Sequence, residues 1–229
     1  MSLPCSSPIF RRQSQHRTAS ERPLMQGHAM RIGLDLDNTL ICYDQAFLRV
    51  GKEEGILSAS FVGNKAAVKR ALLAERPDGY LWEALQGLVY GRRIDAAMLF
   101  DGVTEFLETC RNHADTVAIV SHKTERAHYD PLTDLRVAAL RWMESKQFFD
   151  TSGLGLERSN VYFEGTRDDK VRRIRELGCD VFVDDLAEVL VHGEMPAACR
   201  KILFGSDPQS GFEQYASWHE VSDALFPSS

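Results

Sequence analysis

Two aspartates, Asp35 and Asp37, follow the first strongly apolar run of the chain. In the stretch IGLDLDNTL, residues 32–40, apolar residues alternate with glycine and the aspartates, and a period of two places both carboxylates on one side of a β-strand. Two carboxylates at such a short distance repel each other, and removing them from water is costly unless a cation or a proton neutralises the charge. The pattern fits an edge strand whose acidic face meets water. It also fits a metal site, or a nucleophile beside an acid.

Other residues that could do chemistry lie where predicted strands end or where a predicted helix begins. They are Ser121, His122 and Lys123 at the end of 115–121, Asp184 and Asp185 at the end of 180–185, and Lys170 at the start of 170–178. In a doubly wound parallel sheet these strand ends converge where ligands bind. A group of hard oxygen ligands that leaves space for water and phosphate is typical of a magnesium site. A cation there would also relieve the repulsion among the aspartates.

Strands and helices alternate through most of the chain. The predicted strands are residues 30–36, 115–121, 160–165, 180–185 and 200–205, and the predicted helices between them are 102–113, 133–149, 170–178 and 187–194. Gly178 fits a helix C-terminus. This alternation predicts an α/β Rossmann-like parallel sheet sandwiched by helices.

Residues 45–98 break the alternation, because they form successive helical patterns with turns near Gly63 and Pro77 and no strand between them. A helical insertion directly after the first strand would sit over that strand's carboxyl end, where ligands bind in open α/β sheets. We therefore predict a core domain of residues 30–44 and 99–229 and a small α-helical cap of residues 45–98.

Residues 1–29 are rich in Ser, Arg, Gln and Pro and carry no sustained apolar period. They lack the apolar centre of a secretory signal. Their composition is shared by disordered tails and by transit peptides. We expect a disordered arm, and a targeting segment is the alternative.

The composition is that of a soluble globular protein, with 229 residues, of which 44% are hydrophobic and 26% charged. No apolar run approaches membrane-spanning length. The five cysteines are scattered and form no CxxC pair, which favours a reducing compartment and a cytoplasmic location.

The net charge of −6 is unevenly distributed, with +3 in residues 1–30, +2 in residues 45–98 and −11 in the remaining residues. This acidic body argues against a nucleic-acid partner and suits a metal-dependent enzyme acting on small anions.

Four motifs in order resemble those of the haloacid dehalogenase-type superfamily of aspartyl phosphatases. They are DLDNT at 35–39, the serine after AIV at position 121, the isolated Lys170 and VFVDD at 181–185, and the match spans roughly residues 30–205. The insertion corresponds to the helical (C1-type) cap of that superfamily. SHKTERAHYDP, at 121–131, loosely resembles the TNKP-like second motif of sugar-phosphate and phosphoglycolate-type phosphatases, with Ser and His in place of Thr and Asn. That departure leaves the substrate open.

The resemblance implies a catalytic role for four residues. Asp35 would attack the phosphoryl group and become an aspartyl-phosphate. Asp37 would protonate the leaving alkoxide and then deprotonate the hydrolytic water. Ser121 would hydrogen-bond a phosphoryl oxygen, and Lys170 would neutralise charge developing in the transition state.

The resemblance also implies a Mg²⁺ cofactor. Its ligands would be the carboxylates of Asp35 and Asp184 and the backbone carbonyl of Asp37. Asp185 would contact these ligands rather than the ion, or would contact the ion through a water. Thr39 would help to fix the turn after the strand. Thr39, His122 and Lys123 are the candidates for contacting substrate, and a purely structural loop role fits His122 and Lys123 equally well.

The predicted function is Mg²⁺-dependent hydrolysis of a phosphomonoester, because a cap of this size suits a small phosphorylated metabolite, with a sugar phosphate as the leading candidate. The alternatives are a phosphotransferase or phosphomutase of the same superfamily and a non-catalytic binding protein that kept the fold. Dehalogenation is disfavoured, because it requires neither the second aspartate nor a metal.

Overall fold

A computed structural model describes residues 29–128, 130–209 and 211–227. In chain order the strands are β1 (Arg31–Leu34), β2 (Ile41–Cys42), β3 (Met98–Leu99), β4 (Thr116–His122), β5 (Val161–Glu164), β6 (Val181–Asp184), β7 (Arg200–Phe204) and β8 (Glu213–Tyr215). All except β2 and β3 form one parallel sheet of six strands in the order β5-β4-β1-β6-β7-β8. After β1, the strands β4 and β5 are added on one side of it and then β6, β7 and β8 on the other. The direction in which strands are added therefore reverses between β1 and β6. Ligands bind at such a switch point, beyond the carboxyl ends of the strands.

Helices cover both faces of this sheet: α4 (Val103–Asn112), α5 (Leu135–Ser145), α6 (Arg167–Leu177), α7 (Ala187–Leu190) and α8 (Trp218–Leu225). Successive residues of a strand point to opposite faces. In β4, Ile119 joins the apolar core under α4, α5 and α8, whereas Val120 joins the core under α6 and α7. The predicted α/β Rossmann-like sheet between helices is therefore confirmed.

The helical insertion contains the three predicted helices, α1 (Asp44–Glu53), α2 (Lys65–Glu75) and α3 (Tyr80–Tyr90), followed by a 3₁₀ helix at Ile94–Ala96. The helices pack on one another through buried apolar side chains that include Phe47, Leu72, Leu85 and Val89. That this insertion acts as a cap domain with the boundaries 45–98 stays a prediction.

A short antiparallel pair, β2 with β3, joins the two ends of the insertion, with Ile41 opposite Leu99 and Cys42 opposite Met98. No strand lies between the three helices, as predicted, but the last helical pattern ends earlier than the sequence suggested, since Met98 belongs to β3. A two-residue strand is too short to produce a periodic pattern. The sequence also failed to predict β8 and α8, which complete one edge of the sheet.

The predicted disordered arm, residues 1–29, lies outside the described part of the chain except for its last residue. Within the described residues, no helix combines the length and the apolar character needed to cross a membrane.

Helix α6 begins three residues earlier than predicted, and this start determines where Lys170 lies. The Thr166 side chain caps the helix by accepting a hydrogen bond from the Asp169 amide at 3.1 Å. Gly178 ends the helix in the left-handed region, with φ of 62°, as the sequence predicted. Lys170 therefore stands in the first turn, and its side chain shares the buried face of the helix with Val171 and Ile174.

Candidate active site

The predicted site residues gather at the carboxyl ends of three adjacent strands. Strand β1 pairs with β4 on one side and with β6 on the other, so the positions after Leu34, at Ser121 and at Asp184 share one edge of the sheet. Asp35 follows β1 directly, and its amide donates to the Val183 carbonyl at 2.9 Å. The parallel register thus brings together residues that are far apart in sequence.

Lys170 joins two of these strand ends. Its Nζ lies 2.6 Å from Asp35 Oδ1 and 2.7 Å from Asp184 Oδ2. All three side chains are buried, with at most 6% of any of them exposed. Burial lowers the pKa of Lys170, but the charges of Asp35 and Asp184 more than offset this, so the net change is upward and Lys170 carries a positive charge. One lysine facing two carboxylates leaves an excess of negative charge in a region shielded from water.

Two carboxyls of this region, those of Asp35 and Asp185, have raised pKa values. Burial raises the pKa of Asp35 to about 8; Lys170 opposes this shift, and the neighbouring carboxylates, Asp184 first, add to it. Burial together with the charge of Asp184 raises the pKa of Asp185 to about 7, against the influence of Lys170 and Lys65. Both carboxyls therefore hold protons more strongly than an aspartate in water, and a bound cation would replace those protons.

Asp35, Asp184 and Asp185 each offer one carboxylate oxygen, and these oxygens lie within 4.8 Å of one another. Asp184 keeps its other oxygen, Oδ1, as the acceptor for the Leu186 amide at 2.9 Å, which orients the carboxylate. A cluster of hard oxygen donors in a buried pocket of excess negative charge fits Mg²⁺. These residues would hold the ion, together with the Asp37 carbonyl implied by the sequence motif.

Asp37 belongs to a second, separate set of contacts. Tyr43 donates its hydroxyl to Asp37 Oδ1 at 2.7 Å, and Lys123 Nζ lies 2.6 Å from Asp37 Oδ2. The expectation that Asp35 and Asp37 project from one strand is wrong, because β1 ends at Leu34 and the chain turns immediately afterwards. The turn includes Asn38 in the left-handed region, with φ of 61°.

Ser121 is buried, with 1% of its surface exposed, and its hydroxyl has no hydrogen-bond partner among the described residues. A buried hydroxyl without a partner is uncommon and points to a group that is bound from outside. Ser121 lies near the end of β4, which pairs with β1.

All three predicted substrate contacts have a polar partner within the protein. Thr39 is fully buried, and its Oγ1 accepts from the Asp185 amide at 3.1 Å, so it fixes the turn next to the acidic cluster. Lys123 is engaged by Asp37. His122 is exposed and its Nε2 donates to the Gly165 carbonyl at 3.1 Å.

A cavity of about 440 Å³ opens beside Asp37. It lies between α3 and the segment that follows β4, and its polar lining includes Glu83, Gln86, Tyr90, His122, Lys123 and Thr124. Two of the three predicted substrate contacts therefore face a space next to the predicted acid.

Sequence reasoning did not identify three residues that the fold places at this site: Tyr43, Lys65 and Tyr90. Lys65 Nζ lies 2.8 Å from Asn38 Oδ1 and 3.2 Å from the Tyr90 hydroxyl. Burial lowers the pKa of Lys65, against the nearby charges of Asp185 and Asp37, which raise it. No motif marked these residues, because their contacts depend on how the insertion packs against the core.

The comparisons with solved structures show one shared fold. A HAD-superfamily hydrolase from Ehrlichia chaffeensis superposes with a TM-score of 0.51 and 18% identity, covering 86% of this chain and 97% of that one. A subfamily IA HAD hydrolase from Geobacter sulfurreducens has a TM-score of 0.52 and 13% identity, with coverages of 87% and 98%. The protein tyrosine kinase A of Mycobacterium tuberculosis has a TM-score of 0.57 and 16% identity, with coverages of 86% and 98%. No protein-family model and no curated protein sequence matches the chain.

Proposed function

We propose that this chain, which has the fold of the HAD-superfamily hydrolases, is a Mg²⁺-dependent phosphomonoester hydrolase that acts through an aspartyl-phosphate on Asp35. The observation that carries the proposal is the buried group in which Lys170 contacts both Asp35 and Asp184, at 2.6 and 2.7 Å, with Asp185 close by. A lysine and a site for a divalent cation around one carboxylate are what a phosphoryl group needs, because its charge must be neutralised during transfer.

Asp35 is the nucleophile. One of its carboxylate oxygens attacks phosphorus, the bond between phosphorus and the ester oxygen breaks, and that oxygen leaves with a proton from Asp37. In the second step Asp37 takes a proton from water, and the water oxygen attacks the phosphorus of the aspartyl-phosphate and restores the Asp35 carboxylate. When bound, Mg²⁺ supplies positive charge next to the phosphoryl oxygens.

Ser121 and Lys170 bind the phosphoryl group. The unpartnered Ser121 hydroxyl donates to one phosphoryl oxygen, and Lys170 adds a charge that is already in place before the substrate arrives. Preorganised donors of this kind stabilise the transition state because they do not have to reorient as charge develops.

The substrate class is a small phosphorylated metabolite, with a sugar phosphate as the leading member. The cavity beside Asp37 supports this, because its volume of about 440 Å³ accommodates a small leaving group and its lining offers hydrogen-bonding groups from Glu83, Gln86 and Thr124. A panel of phosphorylated metabolites, assayed for phosphate release, tests this part of the proposal.

Transfer of the phosphoryl group to an acceptor other than water is the second candidate function. One protein with this fold is named as a tyrosine kinase, and the aspartyl-phosphate would be common to both reactions. A non-catalytic binding protein is less favoured, because Asp35, Asp37, Lys170 and Asp184 are all present.

The test is turnover of p-nitrophenyl phosphate by the full chain with Mg²⁺ and after thorough metal removal. Release of inorganic phosphate that depends on Mg²⁺ supports the hydrolase. Undiminished turnover without metal contradicts it. Release of nitrophenol that requires an added alcohol or sugar acceptor, with no inorganic phosphate, identifies a phosphotransferase.

A further inference from the structure

Two consecutive residues of the turn after β1 are each contacted by a lysine. Lys123, at the end of β4, contacts the Asp37 carboxylate at 2.6 Å. Lys65, the first residue of α2, donates to the Asn38 side-chain oxygen at 2.8 Å. The first contact lies within the core, whereas the second joins the helical insertion to the core.

Three aromatic rings surround Lys65 Nζ. The ring centroids of Phe47, Tyr90 and Tyr43 lie 5.1, 5.8 and 5.9 Å from it, within the range of a cation–π contact. Tyr43 and Tyr90 also contact each other edge to face, with centroids 4.7 Å apart. Tyr43 precedes α1, Phe47 belongs to α1 and Tyr90 ends α3, so the packing of all three insertion helices determines the position of this ammonium group.

The residue that Lys65 contacts lies in a conformationally demanding turn. The φ of Asn38 is 61°, and its amide donates to the Ile41 carbonyl at 2.9 Å. The amides of Leu40 and Ile41 both donate to the Leu36 carbonyl, at 3.0 and 2.9 Å. A shift of Asn38 would therefore move the peptide that joins it to Asp37.

We propose that Lys65 is a positioning residue for Asp37, acting through Asn38, so that a side chain of the helical insertion sets the geometry of the proposed acid and base. This inference rests on the proposed function of Asp37 as acid and base. Acid–base catalysis requires the carboxylate within hydrogen-bonding distance of the ester oxygen in the first step and of the attacking water in the second. With an aryl phosphate the second step is the sensitive one, and small displacements reduce its rate strongly.

Lys69 provides a matched control on the same helix, one turn after Lys65. It is exposed, and its Nζ lies 5.6 Å from the centroid of the Trp82 ring, which also belongs to the insertion. Lys69→Met thus removes the same charge and a cation–π contact without removing a contact to the catalytic turn.

The experiment measures kcat and KM for p-nitrophenyl phosphate, with Mg²⁺, and the melting temperature of each variant. In Lys65→Met we expect kcat to fall by about 10- to 100-fold, with KM changed by less than about twofold. Lys69→Met should match the wild type. Lys65→Arg should recover part of kcat, because it restores a cation that can donate to Asn38. Asn38→Ala combined with Lys65→Met should be no slower than the slower single variant, because both changes remove the same contact.

Equal kcat in Lys65→Met and Lys69→Met would overturn the inference and leave the proposed function intact. So would a Lys65→Met variant that melts many degrees lower while its kcat is unchanged, because the contact would then only stabilise the fold. If the wild type itself releases no phosphate or nitrophenol, the proposed function fails and the inference fails with it. The activity of the wild type therefore distinguishes failure of the proposed function from failure of the inference about Lys65.

Discussion

Asp35 and Asp37 stand two positions apart in the chain, yet their carboxylates contact different lysines: Asp35 contacts Lys170 at 2.6 Å, and Asp37 contacts Lys123 at 2.6 Å. The first pair is buried, whereas the Asp37 side chain is 20% exposed. Two carboxylates of one turn therefore occupy different electrostatic environments. This is the arrangement that separate roles as nucleophile and acid would require.

Asp35→Asn should abolish turnover and prevent any covalent phosphate on the protein, because an amide cannot form the acyl-phosphate. Asp37→Asn should retain the first step with aryl phosphates, whose leaving groups need little protonation, and should be slow in the second. The second variant should therefore accumulate phosphate on the peptide that contains Asp35, detected by mass spectrometry. Circular dichroism should show the same fold for both variants.

Near-wild-type turnover in both of these variants would refute the assignment. An adduct on Asp37, with none on Asp35, would mean that the two roles are reversed.

Mg²⁺ should raise the melting temperature more at pH 8 than at pH 5. The raised pKa values of Asp35, about 8, and Asp185, about 7, mean that the folded protein without metal holds protons that the unfolded chain has released. The associated stability is fully present below about pH 4 and is lost as the pH rises through these folded-state values. Mg²⁺ replaces the protons, so its stabilisation should grow over the same interval.

Asp184→Asn should lose most of this Mg²⁺ effect. Asp95→Asn, which changes an exposed carboxylate outside the site, should keep it. A shift that is larger at pH 5 than at pH 8 would contradict the proposed metal site.

Lys170→Met should destabilise the metal-free protein at pH 8 by about 3 to 5 kcal/mol, because it leaves Asp35 and Asp184 buried without a cation. The loss should be smaller at pH 5, where protons can neutralise the carboxylates. Urea unfolding at both pH values measures the difference, with Lys69→Met as the surface control. Equal losses at both pH values would show that Lys170 stabilises by packing rather than by charge.

Ser121→Ala should separate stability from activity. Its hydroxyl is buried and has no partner among the described residues, so its removal should leave the free energy of unfolding unchanged or slightly higher. Turnover of p-nitrophenyl phosphate should nevertheless fall by about 100-fold, as expected for the loss of one preorganised donor to the phosphoryl group. Unchanged turnover would exclude Ser121 from the phosphoryl site.

Much of the candidate site could be predicted from the sequence, because its residues lie at strand ends and strands are recognised from local patterns. The alternation of apolar strands with helices predicts a parallel sheet, and a parallel sheet places the residues after its strands on one edge. This arrangement alone predicts that three of the site residues lie near one another: Asp35, Ser121 and Asp184. Lys170 was identified from its order among the motifs, and the capped start of α6 then directs it to that edge.

Only the tertiary structure decided which groups these residues contact. The contact between Lys123 and Asp37 depends on how the end of β4 lies beside the turn after β1. The contacts of Tyr43 with Asp37 and of Lys65 with Asn38 depend on how the helical insertion packs over that turn. The hydrophobic periodicity of a helix or strand predicts which of its faces is apolar. It does not predict which polar side chain at the edge of that face contacts another helix or strand. Lys65 is one of several cations on α2, and the packing of Phe47 and Tyr90 around it directs that lysine to the turn after β1.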